Sequence, residues 1–249
     1  MRELESGSAF GRYLLRDRIG QGGMGVVFAA EDTQLGRLVA LKFLSPELTT
    51  SEHAQRRLMA EARAAGGLNH PNICTVYEIS ESDGRAFIAM EHVDGKSLSE
   101  EIKEGQMPVE RAVAIATQMA RGLAAAHREG VLHRDIKPAN VIVTRGHQIK
   151  IVDFGIAKVE DVTLTQTGTM VGSMQYMAPE QIDGADLDAR ADMWAFGVTC
   201  YRMLTGRLPF QGRQAGALLY SILSQPHTPV ADLRDDVPEP LRQIVDRCL

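Results

Sequence analysis

His133-Arg134-Asp135-Ile136-Lys137-Pro138-Ala139-Asn140 fixes an Asp, a Lys and an Asn at defined offsets within one short loop, a combination that chance explains poorly. Downstream, Asp153-Phe154-Gly155 directly follows the apolar run Ile149-Lys150-Ile151-Val152. A second carboxylate therefore stands at a strand end, where a hard cation such as Mg²⁺ is readily held through oxygen ligands. Val141-Ile142-Val143 and the Ile149 run, joined through Arg145-Gly146-His147, read as a small hairpin in otherwise helical surroundings. Ala178-Pro179-Glu180 closes a segment that opens at Asp153 and is too long for an ordinary connection, which marks a functional loop.

Upstream, Gly20-Gln21-Gly22-Gly23-Met24-Gly25-Val26-Val27 fits GxGxxGxV, in which glycines let backbone N–H groups approach phosphate oxygens. A dinucleotide-binding turn would need a helix straight after the glycines and an acid about 20 residues on. Here β-branched residues follow, and the next strand carries a cation, Lys42. A plain tight turn stays open on this local pattern. Lys42 lies among apolar neighbours in Val39-Ala40-Leu41-Lys42, so its ammonium calls for an anion. Glu61 adjoins the Leu58, Ala62, Ala65 stripe of a helix expected from Ser51 to Gly66, and its carboxylate calls for a cation. Pairing satisfies both; the plainer alternative is that both side chains reach solvent.

The chain has 249 residues, enough for one large domain or two lobes. With 44% hydrophobic and 24% charged residues it has the composition of a soluble globular protein. A net charge of −5 gives no reason to expect nucleic acid as partner. Cys74, Cys200 and Cys248 are too few and too scattered for a disulfide framework or a Cys-rich zinc site, which suits a reducing cytoplasm. No stretch reads as a membrane span or a signal peptide. Residues up to about Glu91 read mainly as strands, including a hairpin about Asp32–Gly36 and two runs near Ile73–Ile79 and Ala86–Met90. Asp94-Gly95-Lys96-Ser97 reads as a connector, after which helices dominate. One begins at Pro108, carries Ala112, Ile115, Ala116, Met119, Leu123 and Ala126 on one stripe, and ends at Gly130. Met193–Leu204 is apolar nearly all round, as expected of a buried helix.

Taken in order and spacing, these motifs resemble the eukaryotic-type (Hanks-type) serine/threonine protein kinases, and their wording is most similar to bacterial members. The resemblance covers essentially the whole chain and implies an α+β, bilobal kinase fold. A small β-rich N-lobe would span about 10–91 and a larger, mainly helical C-lobe about 92–249, with ATP in the cleft. It implies that Gly20, Gly22 and Gly25, with Ile19, Gln21, Gly23 and Met24 around them, cover the ATP phosphates, and that Lys42 paired to Glu61 holds the α/β-phosphates. Asp135 would accept the substrate hydroxyl proton, Lys137 neutralise the transferring phosphoryl group, and Asn140 and Asp153 hold Mg²⁺ or Mn²⁺. Val27, Ala40 and Ile142 would sandwich the adenine, with Met90 as gatekeeper and Glu91–Val93 as hinge. Lys137, together with Ser173 in the substrate-binding loop, implies serine/threonine specificity.

His133 resembles a packing residue of the family's regulatory core, and Asp192 a strut for the catalytic loop. Arg134, directly before Asp135, implies activation by autophosphorylation of the loop, at Thr165 and Thr167, with a kinase-domain dimer as the route to trans-autophosphorylation. Protein Ser/Thr side chains and ATP are the implied partners, with neither nucleic acid nor membrane contact within this chain. Leu241, Ile244, Val245 and Cys248 read as the stripe of a last helix, with Arg247 as the partner of Glu180. The family has further helices beyond this point, so a truncated domain is expected, and an anchor beyond Leu249 stays open. Two other readings remain: a pseudokinase or scaffold, against which Lys42, Asp135, Asn140 and Asp153 are all retained, and a small-molecule phosphotransferase, against which the long Asp153–Glu180 segment stands.

Overall fold

Strands come first along the chain because residues 9–44 are rich in β-branched and aromatic residues. The computed structural model describes residues 4–22, 25–45, 63–82, 84–103, 105–154 and 174–249. These fall into two units: one holds the described residues up to His70 and Cys74–Asp94; the other holds Pro71–Ile73, Gly95–Phe154 and the residues from 174 onward.

The first unit is a six-stranded antiparallel sheet in the order β1-β2-β3-β4-β6-β5. Its strands are β1 Ala9–Phe10, β2 Tyr13–Gly22, β3 Gly25–Asp32, β4 Arg37–Leu44, β5 Val76–Ser82 and β6 Arg85–Glu91. The β3–β4 turn is set by Asp32, whose buried carboxylate accepts from the backbone N–H groups of Gln34 and Leu35 at 3.1 and 3.2 Å. One face of the sheet is an aromatic core: Phe10, Phe28, Phe43, Phe87 and Tyr13 meet edge to face around Leu15 and Leu41. Of the helix expected from Ser51 to Gly66, residues 63–66 are helical and Ala65 is buried, while Leu58 and Ala62 lie outside the described residues.

The strand expected from Ile73 starts instead at Val76. Ile73 makes an isolated parallel bridge to Ile151, and Asn72 turns its side chain to Gln118 Oε1 and the Ile149 carbonyl, both at 3.1 Å. These bonds hold Pro71–Ile73 in the second unit and leave the strand no room to begin earlier.

In the second unit β7 Gly95–Ser97, β8 Val141–Thr144 and β9 Ile149–Ile151 form a three-stranded sheet. The expected connector at Asp94–Ser97 is thus corrected to a strand, short enough to lack any alternation. Gly95 must be glycine because a Cβ there would lie 2.3 Å from the Val143 carbonyl oxygen. Helices follow as α1 Leu98–Ile102, α2 Val109–Arg128, α3 Pro179–Ile182, α4 Ala189–Thr205, α5 Ala215–Ser224, α6 Val230–Leu233 and α7 Glu239–Cys248. In α2 the buried stripe takes Gly122 in place of the half-exposed Ala116, because a Cβ at 122 would come within 2.9 Å of Ile151 Cδ1. Helix α4 is buried nearly all round, except that Met193 faces outward.

Two expectations about α7 are corrected. Val245 is buried but Ile244 is exposed, and Arg247 is exposed with no ion pair to Glu180 among the described residues. The reason is packing: Cys248 lies against Gly197 of α4, where a Cβ would sit 2.5 Å from the Cys248 Cβ, and that approach turns Arg247 to solvent.

Candidate active site

In the first unit, pairing puts the candidate nucleotide-contacting residues on the sheet face opposite the aromatic core. Val27 stands across from Lys42, Lys42 from Ile88, and Ala40 from Met90. Alternation then aligns Val27, Ala40, Lys42, Ile88 and Met90 on one face. Lys42 is only 4% exposed, so this face carries a buried cation. Ile19 is half exposed on β2 beside Gly20, which pairs with Val27.

The motif glycines divide by cause. Gly25 has φ of +134° and a Cβ there would meet the Phe43 carbonyl oxygen at 1.9 Å, so the fold itself demands glycine. Gly22, flanked by the exposed Gln21, has nothing within 4 Å, and Gly20 meets only Val27 at ordinary contact distance. Packing within the protein does not require glycine at those two positions; the close approach of a bulky anion would. At the end of β6 the Glu91 N–H bonds the Thr75 carbonyl at 2.8 Å, and the Cys74 thiol lies 3.5 Å from the Glu91 carbonyl. Val93, two residues on, is partly exposed, and its backbone makes no backbone hydrogen bond among the described residues. Its N–H and C=O are thus open to the edge of a planar heterocycle.

In the second unit Asp135, Lys137 and Asn140 are brought together. Lys137 Nζ lies 2.7 Å from Asp135 Oδ2. Asn140 Nδ2 donates to the Asp135 backbone carbonyl at 2.9 Å and to Oδ2 at 3.2 Å. Oδ1 of Asp135 accepts no hydrogen bond among the described residues and is left for an incoming hydroxyl. Pro138 starts the 3₁₀ turn Pro138–Asn140 that places the amide. With Nδ2 of Asn140 committed, its Oδ1 is the remaining ligand atom. Val152 N–H bonds the Asn140 carbonyl at 2.9 Å, tying the residues between β9 and Asp153 to this loop. Asp153 has φ of +62° and Arg134 +64°, conformations that non-glycine residues adopt only when the surroundings hold them.

What holds Arg134 is Asp192, 1% exposed in the first turn of α4. Its carboxylate accepts from the backbone N–H of His133 at 2.8 Å and of Arg134 at 2.7 Å, and from His127 Nε2 at 2.8 Å. Burial would raise the Asp192 carboxyl, but the bonds from His127 and from the His133 and Arg134 amides prevail and set it below the usual carboxylate range. His133 is buried, and burial pushes its imidazole pKa down despite the nearby carboxylates. The Asp135 N–H donates to Nδ1 at 3.2 Å, so the proton sits on Nε2 and is donated to the Val152 carbonyl at 3.0 Å. With the Phe154 ring 4.6 Å away, His133 is a neutral packing residue.

Glu61, Gly23, Met24, Thr165, Thr167 and Ser173 lie outside the described residues. Ile142 is on β8, half-buried, in the second unit. Sequence reasoning missed three polar anchors. His127 reads only as the last turn of α2, and Gln118 only as an interruption of its apolar run, yet Gln118 Oε1 accepts from Ile149 N–H and from Asn72. Gln181 donates to the Arg134 carbonyl at 3.0 Å, joining α3 to the catalytic loop.

The donor set fits a hard cation. One carboxylate and one amide oxygen, without sulfur or imidazole, suit Mg²⁺ or Mn²⁺ sharing its remaining positions with phosphates and water. No group of three or more His, Cys, Asp or Glu among the described residues could hold a metal by itself.

A lysine on a strand, an Asp-Lys-Asn loop and a carboxylate just past a strand end are the parts that phosphotransferases of the kinase class use. Residues 13–249 match the protein kinase domain family, and the chain belongs to that family. It is 41% identical over 242 residues to the serine/threonine-protein kinase PknD of Mycobacterium tuberculosis, covering 96% of this chain and 36% of PknD. It is 40% identical over 243 residues to PknH of Mycobacterium bovis, covering 97% and 41%. The chain thus spans little more than a third of the length of such relatives. Among solved structures, a mutant PknI kinase domain from Mycobacterium tuberculosis superposes with a TM-score of 0.78 at 32% identity, covering all of this chain and 91% of that one.

Proposed function

We propose that the chain transfers the γ-phosphoryl group of ATP to serine or threonine hydroxyls of proteins. The observation that carries this reading is the bonded trio Asp135, Lys137 and Asn140, joined through the Asn140 carbonyl to Val152, the residue before Asp153. Asp135 Oδ1 takes the hydroxyl proton, while the bonds from Lys137 and Asn140 fix the carboxylate's direction. Lys137 also neutralises charge on the transferring group. Lys42, with Glu61 as partner, anchors the α/β-phosphates, and the open sides of Gly20 and Gly22 admit phosphate oxygens. Asn140 Oδ1 and the Asp153 carboxylate hold Mg²⁺ or Mn²⁺, which supplies positive charge against the phosphates. Val27, Ala40 and Ile142 bracket the adenine beside Met90, and Glu91 and Val93 meet its edge. Catalysis here is mostly positioning and charge stabilisation.

Control comes from the loop: phosphorylation at Thr165 and Thr167, in trans between two copies, adds about −1.5 to −2 charge per site, which Arg134 receives through bidentate hydrogen bonds. Ser173 of the same segment meets the substrate. Purified protein given Mg·ATP and a Ser/Thr-containing acceptor should incorporate phosphate, and Lys42→Met should not, while both show the same unfolding midpoint. Equal incorporation by Lys42→Met would remove this reading. Phosphate appearing only on small molecules would favour the small-molecule alternative, and nucleotide binding without transfer the pseudokinase.

A further inference from the structure

Tyr176 lies in the run that leads into Ala178-Pro179-Glu180, is 5% exposed, and accepts a 2.5 Å hydrogen bond on its hydroxyl from Arg202 Nη1. Arg202 is half-buried in the last turn of α4, and among the described residues no carboxylate lies within ion-pair distance of it. Some other arginines of this unit have a carboxylate: Arg111 pairs with Glu101, Arg190 with Asp188 and Arg234 with Asp236. Burial pushes the Tyr176 hydroxyl pKa up despite Arg202, so the partner is a neutral phenol. A guanidinium has five N–H donors, and Tyr176 occupies one. A cation held part-way out of water without a counter-charge is costly unless an anion arrives from outside.

Its place along α4 says which anion. Asp192 of the same helix bonds the backbone of His133 and Arg134 directly beneath the catalytic loop. Arg202 follows ten residues later, about 15 Å along the axis. The run containing Tyr176 is fastened to the same loop at its far end, through Gln181 to the Arg134 carbonyl. An extended peptide whose hydroxyl sits at Asp135 covers about 15 Å in four to five residues.

We propose that Arg202 determines substrate specificity by pairing with an Asp or Glu side chain of the protein substrate within about five residues of the phosphorylated Ser or Thr. A carboxylate can engage the guanidinium bidentately while Tyr176 keeps Nη1 in place. A lysine or arginine at the same offset meets like charge and is rejected. The inference rests on the phosphotransferase reading above.

The test is a set of serine peptides with Asp, Ala or Lys placed in turn at each of the five positions on either side of the acceptor. kcat/KM would be measured for wild type, Arg202→Lys and Arg202→Glu. Wild type should favour Asp over Lys about tenfold or more at one offset. Arg202→Lys should keep that preference, and Arg202→Glu should invert it. No acid preference in wild type at any of these offsets overturns the proposal without recourse to a variant, as does an unchanged profile in a folded Arg202→Glu. If wild type phosphorylates no peptide or protein at all, the phosphotransferase reading falls, and this inference falls with it.

Discussion

Asp192 shows how a single side chain sets the geometry that Asp135 needs. Its three donors hold the loop backbone where Arg134 takes a left-handed conformation. Asp192→Asn should cost about 2–3 kcal/mol at pH 7, the range for hydrogen bonds to a buried charge. Because the folded-state carboxyl is held below its unfolded value, that stabilisation is complete above about pH 4 and fades as pH falls through the folded value. Denaturant titrations at pH 7 and pH 3.5 should therefore show the gap between wild type and Asp192→Asn shrinking in acid; a constant gap contradicts this. Asp135→Asn, by contrast, should leave ATP affinity nearly unchanged and lower turnover roughly 10²–10⁴-fold, as read from separate binding and rate measurements. Among the glycines, Gly25→Ala should cost about 2–4 kcal/mol by strain and clash with Phe43. Gly22→Ala should leave the denaturation midpoint within the equivalent of about 1 kcal/mol while weakening ATP binding.

At the scale of elements, legibility followed periodicity and length. The β3–β4 hairpin and α2 could be read because they repeat their pattern for eight or more residues. Strand β7 could not, because three residues carry no alternation and its pairing partner lies far along the chain, Gly95 against Thr144. The start of β5 was misplaced because Ile73 is apolar whether it pairs with β6 or β9, and only the Asn72 side-chain bonds decide. Ile244 fits the stripe of α7 by spacing, but the close packing of Cys248 on Gly197 sets which face is covered. The grouping of Asp135, Lys137 and Asn140 was legible because they are near neighbours in sequence whose contacts are local. Gln118 and Gln181 act over long separations that no local pattern reveals. Helix α1 offers a measurable case: Ser97 Oγ accepts from Glu100 N–H and Glu100 accepts from Ser97 N–H, a reciprocal cap on a five-residue helix. Ser97→Ala should cost about 1 kcal/mol and raise amide exchange at Leu98–Ile102. Unchanged exchange there would mean that burial of Leu98 and Ile102 alone holds the helix.

For the whole molecule, the strand residues proposed to contact nucleotide and the loop of Asp135, Lys137 and Asn140 belong to different units, and among the described residues no helix is long and apolar enough to cross a membrane. Under the proposed control by loop phosphorylation, the Thr165→Ala/Thr167→Ala double variant, treated with phosphatase and then given Mg·ATP, should gain activity far more slowly than wild type; an equal rate with phosphates mapped elsewhere contradicts it. The central claim is ATP-dependent transfer to Ser/Thr hydroxyls by Asp135 with metal held at Asn140 and Asp153. Its most direct test is incubation of wild type and Asp153→Asn with Mg·ATP and an acceptor protein, followed by phosphosite mapping. The account predicts phosphate on serine and threonine for wild type alone; no phosphate on either residue with wild type, or undiminished transfer by Asp153→Asn, would contradict it.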